Sequence, residues 1–129
     1  MVIGYTYVVG DIIHRGHLLY LKNCKALCDK LIVGVLTDKA VMEHKPKPIL
    51  SLDERMEIIG SLKCVDLVVT QNDYNPTNNC SLLHPDILFE SENHKEWGNN
   101  YDRQVIGMPY YPSQSSSKIK AKVRNGNTD

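Results

Sequence analysis

Tyr5-Thr6-Tyr7-Val8-Val9 runs through Gly10-Asp11-Ile12-Ile13 into His14-Arg15-Gly16-His17, and Leu18-Leu19-Tyr20-Leu21 follows at once. The first run is apolar and β-branched, which reads as a buried strand; the last opens a helical apolar period. The His-x-Gly-His tetrapeptide therefore stands in a strand-to-helix turn. Imidazoles three residues apart share one helix face. The first helical turn adds free N–H groups and the positive end of the helix dipole. Gly16 has no Cβ to keep a phosphate chain away from the backbone. The turn reads as a phosphate site.

The rest of the chain repeats the alternation. Residues 2–9 read as the first strand and residues 17–27 as the first helix. Leu31-Ile32-Val33-Gly34-Val35-Leu36 is a continuous apolar run, the mark of a strand covered on both faces. Residues 37–50 read as a long loop carrying Lys39, Lys45 and Lys47, with Pro46 and Pro48 among them. Ser51-Leu52-Asp53-Glu54 is a capping box, which predicts a helix over residues 52–62. Residues 65–70 read as a third strand, Asn75-Pro76 as a turn, and residues 80–83 as a short helical turn. Asp86-Ile87-Leu88-Phe89 and Val105-Ile106-Gly107-Met108 read as the fourth and fifth strands, with the polar segment 90–103 between them. Residues 118–123 alternate as a strand would, but Ser115-Ser116-Ser117 before them favours a helix N-cap, and helix is preferred.

This pattern predicts an α/β, Rossmann-like single domain over residues 1–124, with a mostly parallel sheet, helices on both faces and a frayed tail at 125–129. Ligands of such sheets bind at the carboxyl ends of the strands, at the switch point. That edge carries residues 11–17, 37–47, 90–97 and 109–117.

Composition narrows the class. The chain has 129 residues, enough for one real core, with 15 basic against 15 acidic side chains. No global basic surface argues for nucleic acid. No apolar run approaches a membrane span, and the N-terminus lacks a signal-peptide pattern, so a soluble cytoplasmic protein is expected. Cys24, Cys28, Cys64 and Cys80 are expected to be reduced. A zinc site from His14, His17, Cys24 and Cys28 is the sharp alternative. A straight helix opposes it by setting the two pairs at opposite ends.

There is no Gly-x-Gly-x-x-Gly after the first strand and no Walker Gly-Lys-Ser/Thr. A set of imidazoles, lysines and hydroxyls remains, which suits attack at the α-phosphate of a nucleoside triphosphate. His14 and His17 would hydrogen-bond the phosphates, and Lys45 and Lys47 would neutralise the β- and γ-phosphates. Ser115, Ser116 and Ser117 either donate to phosphate or simply cap a helix. Arg55 either faces the ligand or pairs with Glu54 or Asp53. Asp11 positions a histidine or a substrate hydroxyl, or merely forms the turn.

These segments resemble the cytidylyltransferase family of HxGH nucleotidyltransferases, in the small form that acts on glycerol 3-phosphate. The resemblance rests on Gly10 to His17, on Leu31-Ile32-Val33-Gly34-Val35-Leu36-Thr37-Asp38, on Ser51-Leu52-Asp53-Glu54-Arg55, and on Ser115-Ser116-Ser117-Lys118-Ile119-Lys120. It implies transfer of CMP from CTP to a small phosphate acceptor with Mg²⁺, release of pyrophosphate, and a homodimer. It makes His14 and His17 catalytic, with Lys45 or Lys47 as the loop lysines. Val9, Gly10, Asp11, Gly16, Arg55 and Ser116 would bind substrate, and Lys63 would stand where the family often has arginine.

Three departures point at the acceptor. Val9 replaces a threonine, Ser91 to Trp97 replaces Gly-Asp-Asp-Trp, and Tyr110 stands where the family has a phosphate-binding arginine, whose charge and fork it cannot supply. His94 and Lys95 could replace that lost cation. The wording Asp11 to His14 and Val35 to Ala40 also resembles nucleotidyltransferase domains of phosphonate biosynthesis, so a phosphonate acceptor competes. Adenylyl transfer is an alternative, because the motif reads triphosphate rather than base. A catalytically weak nucleotide-binding module is the alternative outside enzymes.

Overall fold

The computed structural model describes residues 1–91 and 100–109. Among them, β1 (Ile3–Val8), β2 (Lys30–Leu36), β3 (Leu67–Gln71), β4 (Ile87–Ser91) and β5 (Gln104–Met108) form one sheet in the order β3-β2-β1-β4-β5. Every neighbouring pair is parallel. The helices are α1 (Arg15–Lys25), α2 (Asp38–Val41), α3 (Leu52–Gly60) and α4 (Thr77–Leu83). The chain leaves central β1 toward β2 and β3, then returns to the other side of β1 as β4. The switch point therefore lies between β1 and β4, and the turn from β1 into α1 opens there.

The apolar run of β2 is explained by its two faces. Leu31, Val33 and Val35 pack with Leu21 and Cys24 of α1 and Ile59 of α3. Ile32 joins the cluster of Tyr5, Leu88 and Cys80 of α4 on the opposite face. Gly34 lies on that second face, where a Cβ would sit 2.0 Å from the Tyr5 hydroxyl oxygen. Tyr5 Oη cannot retreat easily: it donates to Gln71 Oε1 at 2.5 Å and accepts from Asn79 Nδ2 at 2.9 Å. Gly34→Ala should therefore destabilise the fold by about 3 kcal/mol or more, through overpacking plus lost buried hydrogen bonds. The midpoint of urea unfolding measures it.

Several boundaries differ from the sequence reading. Helix α1 begins at Arg15 with His14 as its N-cap, so both histidines belong to its start, and it ends at Lys25. The expected loop at 37–50 contains α2: Thr37 Oγ1 accepts the Ala40 N–H at 3.2 Å, and Ala40 and Val41 are buried. Ser51 caps α3 as expected, but α3 stops at Gly60. Strand β3 begins two residues later than read and reaches Gln71, α4 starts at Thr77, and β4 continues through Glu90 to Ser91. Among the described residues no helix is long and apolar enough to cross a membrane.

Candidate active site

The site is built from the first turn of α1. His14 is extended (φ −141°, ψ 179°), and its Nδ1 accepts the Gly16 N–H at 3.0 Å. His17 reaches back, its Nδ1 accepting the His14 N–H at 3.3 Å. This is a capping box with two histidines in place of the usual Ser and Glu. The consequence is chemical. Each Nδ1 uses its lone pair on a backbone donor, so each neutral ring carries its proton on Nε2. The ring centroids lie 4.1 Å apart at 46°. His14 Nε2 is buried and meets no hydrogen-bond partner among the described residues.

Both rings are held neutral. Burial lowers the His14 pKa. Burial first, then His14, then the charge of Lys45 push His17 down to about 4. At neutral pH the turn thus presents two uncharged Nε2–H donors at a helix N-terminus. Such a pair can donate to a phosphoryl oxygen as charge develops, and neither ring has a free lone pair with which to act as a base.

The low His17 pKa ties stability to pH. The unfolded chain binds this proton near 6.5 and the folded chain only near 4. His17 therefore costs stability as pH falls from about 6.5 toward 4, by up to about 1.4 kcal/mol per pH unit, and nothing further below that. His17→Gln should remove that part of the slope, measured as the wild-type-minus-variant difference in unfolding free energy between pH 7 and 4.

What holds α1 over the sheet is local. Thr6 Oγ1 lies 2.9 Å from Tyr20 Oη and donates to the Phe89 carbonyl at 3.2 Å, linking α1, β1 and β4. Gly10 takes φ +73°, a left-handed turn that a Cβ would strain. Gly16 is buried in the helical turn.

Asp11 is 2% exposed and does more than form the turn: its carboxylate accepts the Ile49 N–H at 2.9 Å and the Leu50 N–H at 2.8 Å. Arg55 is fully buried and corrects the expectation more sharply. It pairs with neither Glu54 nor Asp53. Its Nε donates to the Leu50 carbonyl, its Nη1 to the Val9 and Leu36 carbonyls at 2.8 and 2.6 Å, and its Nη2 to Asp38 Oδ1 at 2.7 Å. Val9 therefore enters the site through a carbonyl spent on Arg55.

Lys45 and Lys47 are both exposed on the loop that follows α2. Lys45 is the one whose charge acts on His17. Lys63 lies in the turn between α3 and β3, exposed, and within this chain the fold does not bring it to the His14–His17 turn. Helix α3 runs back against the strands, so its C-terminus is far from the strands' carboxyl ends. The zinc alternative is also corrected. His17 and Cys24 are separated by about 10 Å along α1, Cys24 is buried in the core, and among the described residues no group of three His, Cys, Asp or Glu could hold a metal ion. Ser115, Ser116, Ser117, His94, Lys95, Trp97, Tyr110, the helix at 118–123 and the tail lie outside the described residues.

Sequence reading missed Glu90 and Tyr7. Glu90 is 1% exposed at the carboxyl end of β4 and accepts from Tyr7 Oη at 2.7 Å. The signal available was its place directly after the apolar strand run, at the head of the polar segment 90–97 that the sequence put on the ligand edge without giving Glu90 a role.

With this geometry in place, comparison with known proteins is decisive at the family level. The family model described as cytidylyltransferase-like matches residues 9–122. The chain belongs to the cytidylyltransferase-like family. This nucleotidyltransferase is similar to the bifunctional protein HldE of Helicobacter pylori strain P12, 34% identical over 124 residues, covering 92% of this chain and 27% of that protein. It is likewise similar to the bifunctional protein HldE of Campylobacter fetus, 31% identical over 119 residues, covering 88% of this chain and 26% of that one. The cytidylyltransferase-like chain thus spans about a quarter of the length of these curated relatives. Among solved structures, the lipopolysaccharide core biosynthesis protein from Thermoplasma volcanium superposes with a TM-score of 0.75 at 25% identity, covering 86% of this chain and 98% of that one. Pantoate-beta-alanine ligase from Francisella tularensis shares the fold, with a TM-score of 0.64 at 17% identity, over 98% of this chain and 69% of that one.

Proposed function

We propose that this enzyme moves the nucleoside monophosphate of a nucleoside triphosphate, CTP first among candidates, onto a small acceptor bearing a phosphate such as glycerol 3-phosphate. An acceptor phosphate oxygen attacks the α-phosphorus, the new P–O bond forms in line, and the bond to the β-phosphate oxygen breaks, its electron pair leaving with pyrophosphate. The observation that carries this reading is the His14–His17 pair: two neutral Nε2–H groups at a helix N-terminus, one of them buried without a partner among the described residues. They stabilise phosphoryl charge without competing for its protons. Lys45 adds the cation. Mg²⁺ would come with the triphosphate and neutralise its charge, since this ion binds largely through substrate phosphates and water. The family resemblance supports a homodimer working in the cytoplasm.

A second reading is favoured by the comparisons. Similarity to a protein of lipopolysaccharide core biosynthesis and to bifunctional HldE supports a sugar phosphate as acceptor, with ATP as a rival donor. A phosphonate acceptor is the third arm. Pyrophosphate release with Mg²⁺, crossing CTP and ATP against glycerol 3-phosphate, sugar phosphates and small phosphonates, tests all three. Release with one pair names donor and acceptor. Nucleotide binding with no release for any pair would favour an acceptor outside this panel or a binding module.

The lysines should separate in the same assay. Lys45→Ala should lower kcat/KM roughly tenfold to a hundredfold, and Lys47→Ala by a smaller factor. Equal losses would place both on phosphate.

A further inference from the structure

The Leu50 peptide is gripped from both sides. Its N–H donates to Asp11 Oδ1 at 2.8 Å and its carbonyl accepts from Arg55 Nε at 3.2 Å. The neighbouring Ile49 N–H takes the second Asp11 oxygen at 2.9 Å. Both gripping side chains are almost wholly buried. Asp11 stands on the β1–α1 turn, three residues before His14. Arg55 binds the ends of β1 and β2 through the Val9 and Leu36 carbonyls, and Asp38 at the start of α2. Between Val41 and Leu50 the near half of the loop is held by α2 and Tyr74, through the His44 N–H on the Val41 carbonyl at 3.1 Å and Glu43 Oε2 accepting the Tyr74 N–H at 3.2 Å, while the mostly exposed far half has no strand partner and ends in the Asp11–Arg55 grip. Lys45 rides on this loop, its N–H bonded to the Val41 carbonyl at 2.9 Å.

We infer that Asp11 and Arg55 form a positioning pair whose task is to set Lys45 against the His14–His17 pair. The inference rests on the reading of Lys45 as a phosphate-binding cation. Asp11 and Arg55 touch no reacting atom in it; they act through the loop. A loop pinned at its far end loses entropy in the folded chain rather than at substrate binding, which is the gain expected of preorganisation.

A double-mutant cycle between Asp11→Asn and Lys45→Met tests this. An acceptor that acts only through Lys45 matters only while Lys45 is present. Asp11→Asn should lower kcat/KM about tenfold in the Lys45 enzyme and less than twofold in the Lys45→Met enzyme. Additive losses would overturn the inference. A second readout needs no substrate. Burial acts on His17 most, then His14 and Lys45, so with burial unchanged the His17 titration followed by NMR should move upward in Asp11→Asn and in Lys45→Met, with no further movement in the double variant. A midpoint that moves in Lys45→Met but not in Asp11→Asn overturns the positioning role even if no acceptor is ever found. Absent turnover with a coupled His17 titration would leave the clamp standing and count against the choice of acceptor or the transferase reading instead. If Asp11→Asn does not fold, Asp38→Ala takes its place: it removes one half-exposed acceptor of Arg55, and the same coupling is expected at smaller size.

Discussion

His14→Asn should keep its fold and lose a hundredfold or more of its turnover. The two nitrogens of His14 do separate work. Nδ1 caps α1 by accepting the Gly16 N–H, and asparagine is among the best residues for that position. Its Oδ1 lies at the place of Nδ1 and can accept the same bond, so the unfolding midpoint should change by no more than about 0.5 kcal/mol. Asparagine has nothing at the place of Nε2. The donor that is buried without a partner among the described residues is deleted, and loss of one such donor to a developing oxyanion costs roughly 100- to 1,000-fold in kcat. His14→Ala should lose the same activity and about 1 kcal/mol of stability besides. Steady-state kinetics beside urea unfolding check both halves. An asparagine variant with normal kcat would remove His14 from the chemistry.

Arg55→Met should be the most damaging single change to stability. Arg55 is fully buried, and its guanidinium serves the Leu50, Val9 and Leu36 carbonyls and Asp38. Methionine fills part of the volume and supplies no donor. It leaves three backbone acceptors and a carboxylate without their cation. Breaking a buried charged network from one side costs about 3–5 kcal/mol. Against a total of about 5–15 kcal/mol for a domain, that is enough to leave the chain partly unfolded at 37 °C. The denaturant midpoint measures it. A shift below about 1 kcal/mol would mean that water takes over the acceptors.

Arg55 also marks where sequence reading stops. Its place in the first turn after a capping box was legible in Ser51-Leu52-Asp53-Glu54, and α3 begins where that box says. Which way the side chain points depends on how α3 docks over the ends of β1 and β2, and local spacing does not carry that. The strands were legible because burial on both faces leaves long apolar runs. The helix carrying His14 and His17 was legible because the tetrapeptide stands between a strand and a helical period. Helix α2 was not, because four residues give no period and the lysines and prolines after them dominate the segment. Lys63 shows a different failure. Strand–helix alternation already requires the end of α3 to lie away from the strands' carboxyl ends, so its distance from the His14–His17 turn within one chain was available from topology alone. Lys45 could be distinguished from Lys47 only once the fold set its charge near His17.

The central claim is that bond breaking occurs at the α-phosphorus. Phosphorus-31 NMR of a reaction holding the triphosphate, Mg²⁺ and a phosphate-bearing acceptor tests it directly. The account predicts matched growth of inorganic pyrophosphate and of a new P–O–P product that joins the nucleotide's α-phosphorus to the acceptor phosphorus, with both signals lost in His14→Asn. Growth of nucleoside diphosphate with a phosphorylated acceptor would place the break at the γ-phosphorus and contradict the account.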